Sequence, residues 1–159
     1  TNIAACSGLI VAVALSQALF GKVDITFALN GALAGLVSIT AEPLAPSVPT
    51  SMLVGGVGGL IAVFGTKLME NLKVDDVVGA LPVHLLSGIW GTIAVAISND
   101  GTSYAVQTIG ALSVVLFVFA ISSVVWIFLK YTIGVRPTPE EELVGSDAIE
   151  VGIEAYNDK

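Results

Sequence analysis

Charge is what this sequence has least of. Only 12% of its 159 residues are Asp, Glu, Lys or Arg, about half the share usual in a soluble globular chain. That scarcity excludes an ordinary water-exposed domain. Histidine and cysteine are each present once, as His84 and Cys6. One cysteine rules out an internal disulfide, and its place in an apolar run suits a small buried residue. One histidine and one cysteine leave no Cys/His metal spacing and no Ser/His/Asp catalytic set. Glycines are plentiful, but none form a phosphate-cradling loop ahead of a helix. We therefore expect neither enzymatic activity nor a bound cofactor. Six basic residues in all make no patch for nucleic acid.

What is present is apolar length. Hydrophobic residues make up 55% of the chain, in runs of about 20 residues, enough at 1.5 Å per residue to cross a hydrocarbon core of about 30 Å. The fold class is an all-α polytopic membrane protein. Five spans can be drawn, over 2–20, 25–41, 50–69, 77–97 and 104–131, followed by an acidic tail over 132–159. The stretch from Glu42 to Pro49 holds three prolines and reads as a connection. Opening at Thr1 straight into an apolar run, without Met, the chain is expected to be the C-terminal part of a longer polypeptide.

The few charges are unevenly placed. With five spans, Lys22, Lys67, Lys73, Lys130, Arg136 and Lys159 all fall on one side or at its helix ends. The opposite connections, Glu42–Pro49 and Ser98–Ser103, carry no cation. By the positive-inside rule the tail is then cytoplasmic and Thr1 faces outward, in a cell (inner) membrane. About half of the acidic residues lie in the tail, so the membrane part is nearly neutral. Gly31-x-x-x-Gly35 and Gly55-x-x-x-Gly59 place small residues on one helix face, as close packing of helices within a subunit requires.

The functional candidates are the polar residues at membrane depth. His84 lies inside the fourth span, two residues after Pro82 and ahead of Gly88 and Gly91. An ionisable residue there is costly and by default suggests a function. A neutral imidazole can donate from one nitrogen and accept at the other, which suits proton relay or guiding a small polar molecule. The competing reading is a structural histidine bonded to a carbonyl. Asp75 and Asp76 open the fourth span, where they either complement the helix dipole or line a mouth attractive to cations. Asn30, near the same end of the second span, is open between interhelical bonding and pore lining. Trp90 and Trp126 read as packing or interface residues.

The stretches Leu29–Thr40 (LNGALAGLVSIT), Val74–Thr92 (VDDVVGALPVHLLSGIWGT), Ile133–Glu150 (IGVRPTPEEELVGSDAIE) and Val151–Tyr156 (VGIEAY), in that order, resemble the C-terminal half of the ammonium transporter (Amt/Mep/Rh) family. The likeness to the bacterial Amt branch covers helices seven to eleven and the tail. The resemblance implies an eleven-helix inverted-repeat bundle in a homotrimer, each subunit conducting ammonium or ammonia through a narrow hydrophobic pore past two stacked histidines. On it, His84 matches the second histidine, and the first belongs to the missing N-terminal half. Asp75, Asp76 and Asn30 match the cytoplasmic mouth, and Thr40 falls near the outer recruitment region. The tail resembles a segment that cooperates with a PII signalling protein. Two positions depart from the pattern around the histidine: Gly79 stands where an acidic residue is common, and Leu85 where glycine is frequent. In the tail, Val-Gly-Ile replaces the usual His-Gly. The same fold could instead serve an ammonium sensor or regulatory subunit. A carrier for another solute would need coupling-ion sites at broken helices, and none is visible.

Overall fold

The computed structural model describes residues 1–153. It is helical: α1 (Asn2–Phe20), α2 (Ile25–Ile39), α3 (Val48–Asn71), α4 (Leu81–Ser98), α5 (Tyr104–Thr132) and a short α6 (Pro139–Val144), then a wide turn at Asp147–Val151. The chain divides into two compact units, the first being Thr1–Val115 and the second beginning at Leu116. Four helices, α1, α3, α4 and α5, are long and apolar enough to cross a membrane. The fifth apolar helix, α2, has 15 residues and is about 22 Å long.

The first unit is built on α1, α2 and α3, which touch backbone to backbone. On α1 the residues at four-residue spacing, Ala4, Gly8, Ala12 and Ser16, are all buried. This is the face that a helix aligns every 3.6 residues. A methyl group added at Gly8 would run into the Gly31 carbonyl of α2 and lie 3.0 Å from the Gly55 carbonyl of α3. One at Gly55 would strike the Ala4 backbone, and one at Gly59 the Gly8 carbonyl. Both Gly-x-x-x-Gly pairs therefore pack inside this chain. The arrangement suits lipid, where the hydrophobic effect does not drive helices together and close dispersion contact must do so.

Helix ends follow local chemistry. Gly21, in the left-handed region at φ 74°, closes α1, and Asp24 caps α2 by accepting from Thr26 N and Phe27 N. The Ser16 hydroxyl spans this turn, donating to Lys22 O and accepting from Asp24 N at 2.9 and 3.0 Å. Of the boundaries that differ from the sequence reading, three have a local cause. First, α2 ends at Ile39, because the Thr40 amide and hydroxyl both turn back onto Val37 O. Second, α3 begins at Val48, inside the proline-bearing connection. Ser47 caps it, and Pro49 occupies the first turn, where a missing N–H costs nothing. Third, α4 begins at Leu81, four residues later than the span predicted from Val77.

The second unit carries the end of α5 and the tail. Here α6 opens with a reciprocal capping box: the Thr138 hydroxyl accepts from Glu141 N, and the Glu141 carboxylate accepts from Thr138 N at 2.7 Å. The Arg136 guanidinium donates twice to the Glu142 carboxylate, at 2.6 and 3.3 Å. The tail segment Glu154-Ala155-Tyr156 lies outside the described residues.

Two outcomes follow. Gly55→Ala should destabilise the protein by about 1–3 kcal/mol through overpacking. Gly56→Ala, next along the helix, should cost clearly less, because its methyl would meet side-chain ends and no backbone, the Ser7 hydroxyl at 3.1 Å and the Val11 Cγ2 at 3.5 Å. Thermal unfolding in detergent measures both, and equal shifts would refute the packing account. In the tail, Arg136 holds the Glu142 carboxyl below its ordinary 4.5. The pair's contribution is therefore present above pH 4.5 and is lost as pH falls through the lowered value. Carbon NMR titration of Glu142 should show its midpoint rise towards 4.5 in Arg136→Gln, and an unmoved midpoint would contradict the pairing.

Candidate functional site

The site is shaped by a proline in the first turn of α4. Pro82 has no N–H and cannot sit behind a helical carbonyl four residues back, which here belongs to Val78. The chain turns that carbonyl away, and Asn30 of α2 donates its side-chain amide to it at 2.9 Å. Gly79, at φ 76°, takes the left-handed conformation this turn requires. A methyl group there would lie 2.6 Å from the Asn30 amide nitrogen. The two orphan amides beyond the turn, Ala80 N and Leu81 N, donate to the Asp76 carboxylate at 2.7 and 2.8 Å. Val77–Gly79 is thus a locked turn outside the helix, which explains the late start of α4.

From Leu81 to Leu86 the helix is π-wound. Such wide turns are rare, usually single, and frequent at functional sites. His84 is carried on this one. Pro82 is fully buried and presses on α3 at Gly65, where a methyl group would lie 2.7 Å from the proline Cβ. The His84 side chain leaves on the other side. It is exposed and borders a cavity of 310 Å³ walled by Leu85, Gly88, Ile89 and Thr92 of α4 and by Ala111 and Val114 of α5. The wall is almost entirely apolar. The Thr92 hydroxyl in it is already spent on Gly88 O at 2.9 Å. Among the described residues the imidazole has no hydrogen-bond partner, so the reading of His84 as a histidine tied to a carbonyl does not hold within this chain.

A second cavity, of 280 Å³, lies at the lysine-bearing end of the first unit and is polar, lined by Asp24, Asn30, Thr66, Lys67, Glu70 and Asp76. Its charges are engaged. Asp24 and Asp76 cap backbone amides, and Lys67 pairs with Glu70 at 2.7 Å while lying 4.9 Å over the Phe20 ring. The predicted mouth residues are therefore divided. Asn30 and Asp76 meet here, each holding backbone, and Asp75 is exposed away from them. Thr40 caps the far end of α2, exposed. Nearby, Asn99 donates to the Glu42 carboxylate at 3.0 Å, tying the α2–α3 and α4–α5 connections together. Trp90 donates to Val54 O at 3.0 Å and packs against the α1–α3 core. Among the described residues no three His, Cys, Asp or Glu side chains gather as metal ligands would.

The sequence reading missed the π turn, Gly65 and the partner of Asn30. One signal was available. A proline inside a span leaves a carbonyl without its donor four residues earlier, and a buried asparagine on a neighbouring helix is a suitable replacement.

Residues 1–156 match the profile of the Ammonium Transporter Family. The chain is 38% identical over 177 aligned positions to ammonium transporter Amt2 of Archaeoglobus fulgidus, covering 98% of this chain and 38% of that protein. It is 28% identical over 174 positions to an ammonium transporter of Bacillus subtilis, covering 99% of this chain and 43% of that protein. A solved structure named Sensor Amt Protein superposes with a TM-score of 0.87 at 28% identity, over 94% of this chain and 40% of the other. The chain thus spans less than half the length of these relatives. A family profile that runs from Thr1, ahead of α1, into the tail, and a solved relative with the same helical bundle, establish that this multi-pass membrane chain belongs to the ammonium transporter family.

Proposed function

We propose that this chain forms one wall of a pore that conducts ammonium or ammonia, with His84 as the polar group that meets the permeating species. The observation that carries this reading is an imidazole that has no partner among the described residues, on a largely apolar cavity wall. In such a wall the ring can accept from ammonium or donate to ammonia while the surroundings exclude water and bare ions. The pore is completed by the N-terminal half of the same protein, which brings a second histidine, and three copies assemble as a homotrimer. Asn30, Asp75 and Asp76 border the cytoplasmic mouth, and Thr40 belongs to the outer recruitment region. All five apolar helices cross the membrane, α2 with its flanking turns, so that the tail lies in the cytoplasm at the inner membrane. The acidic helix α6 and the residues after it form the surface on which a PII signalling protein docks.

The family also contains proteins named as sensors, and a sensor would bind ammonium in the same place without passing it. Flux separates the two. In the full-length protein reconstituted into liposomes, His84→Ala should lower ammonium or methylammonium flux about tenfold, the value of one hydrogen bond in a dry site. Unaltered flux and unaltered discrimination against potassium would overturn the role of His84. Saturable ammonium binding with no flux in the unsubstituted protein would favour the sensor.

A further inference from the structure

Among the described residues, the hydroxyl groups inside helices that bond back along their own helix reach four residues, with Ser87 as the exception. Ser38, Thr66, Thr92, Ser113, Ser123 and Thr132 each donate to the carbonyl four residues back, the usual back-bond of a helical hydroxyl. Ser87 donates five residues back, to Pro82 O at 3.0 Å. Its own amide is shared between that carbonyl and His84 O. Ser87 is completely buried, so water cannot take the place of this bond. The Ser87 hydroxyl thus secures the five-residue register of the turn that carries His84, and the amide adds a shared bond to the same carbonyl.

We propose that Ser87 is a positioning residue for His84, holding the π turn open so that the imidazole faces the apolar cavity. A helix advances about 100° per residue. Closing the wide turn to ordinary α winding would therefore swing the ring around the helix by up to about that angle relative to Gly88 and Thr92. The opposite side of the turn cannot move to compensate, because Pro82 is pressed against Gly65 of α3. Upstream, Asp76 and Asn30 hold the turn's entry. Ser87 is the hydroxyl that holds its exit. The geometric part of this proposal stands alone, and its consequence for flux rests on the pore reading of His84.

The test is a double-mutant cycle in the full-length protein, with flux in liposomes and the rate at which diethyl pyrocarbonate modifies His84, followed by peptide mass spectrometry. Ser87→Ala keeps the volume and removes the hydroxyl. It should change the modification rate of His84 and lower maximal ammonium flux about fivefold, the weight of a typical buried hydrogen bond. In the His84→Ala background the Ser87→Ala effect on flux should vanish, because a residue acting through another has nothing left to position. Ser87→Cys, with a weaker donor of similar size, should restore part of both properties, and it carries the same measurements if the alanine variant does not fold. An unchanged modification rate in Ser87→Ala overturns the proposal, as does an equal flux loss with and without His84. If His84→Ala leaves flux intact while Ser87→Ala still alters the modification rate, the pore reading fails and the positioning role stands.

Discussion

Direct contact between the backbones of α1, α2 and α3 is the constraint on which the rest of the molecule depends. In a bilayer the lipid tails are as apolar as leucine, so a helix pair gains little from hiding large side chains from its surroundings. What it can gain is dispersion from many short contacts, and those require small residues at every point of crossing. Ala4, Gly8 and Ala12 on α1 meet Gly31 and Gly35 on α2 and Gly55 and Gly59 on α3 with no room for a further methyl at the glycines. The same economy extends outward to α4. Gly91 of α4 lies against the Ser38 carbonyl of α2, and Gly65 of α3 against Pro82 of α4. Because α2 and α3 are held so close to α1, their far faces offer α4 a rigid seat.

That rigidity makes the irregular start of α4 affordable. Within a membrane every backbone polar group must be satisfied inside the protein, and broken helices persist only where neighbours supply the missing bonds. Pro82 removes one donor and displaces the Val78 carbonyl. Asn30 replaces the donor from α2, Asp76 takes the two exposed amides, and Ser87 reinforces the widened turn. Among the described residues no buried side-chain nitrogen or oxygen is left without a partner. Asn30 and Asp76 can thus be understood first as parts of the frame that holds His84. A place at the mouth of a pore is compatible with that work, since both reach the polar cavity at the same end.

Much of this was legible in the residues themselves. Scarce charge and long apolar runs led to a helical membrane protein, and the start of α5 at Tyr104 and the turn at Gly21 follow from their own local chemistry. The Gly-x-x-x-Gly pairs pointed to packing inside the subunit, where they are found. Three features were not legible, and each depends on a specific contact that hydropathy does not register. The start of α4 depends on where Asp76 turns its carboxylate. The start of α3 depends on Ser47 capping a turn that already contains Pro49, so a proline counted as a breaker served as a first-turn residue. The π turn depends on contact with Gly65, 17 positions before Pro82. Hydropathy averages over these events because none of them changes the apolar character of the run.

The glycine at position 79 shows how such a frame restricts what its own sequence can become. Its backbone stands at φ 76°, packed against the Asn30 amide. A carboxylate there would be strained by the left-handed conformation and would collide with the nitrogen that serves Val78. Its work on the helix amides is already done by Asp76, three residues earlier. Once the turn is held by Asn30 from the side and Asp76 from below, a side chain at 79 has neither room nor a task. Leu85 lies on the opposite face of the turn. It stands beside His84 on the cavity wall, where bulk adds apolar surface around the imidazole without touching the packed side of the turn.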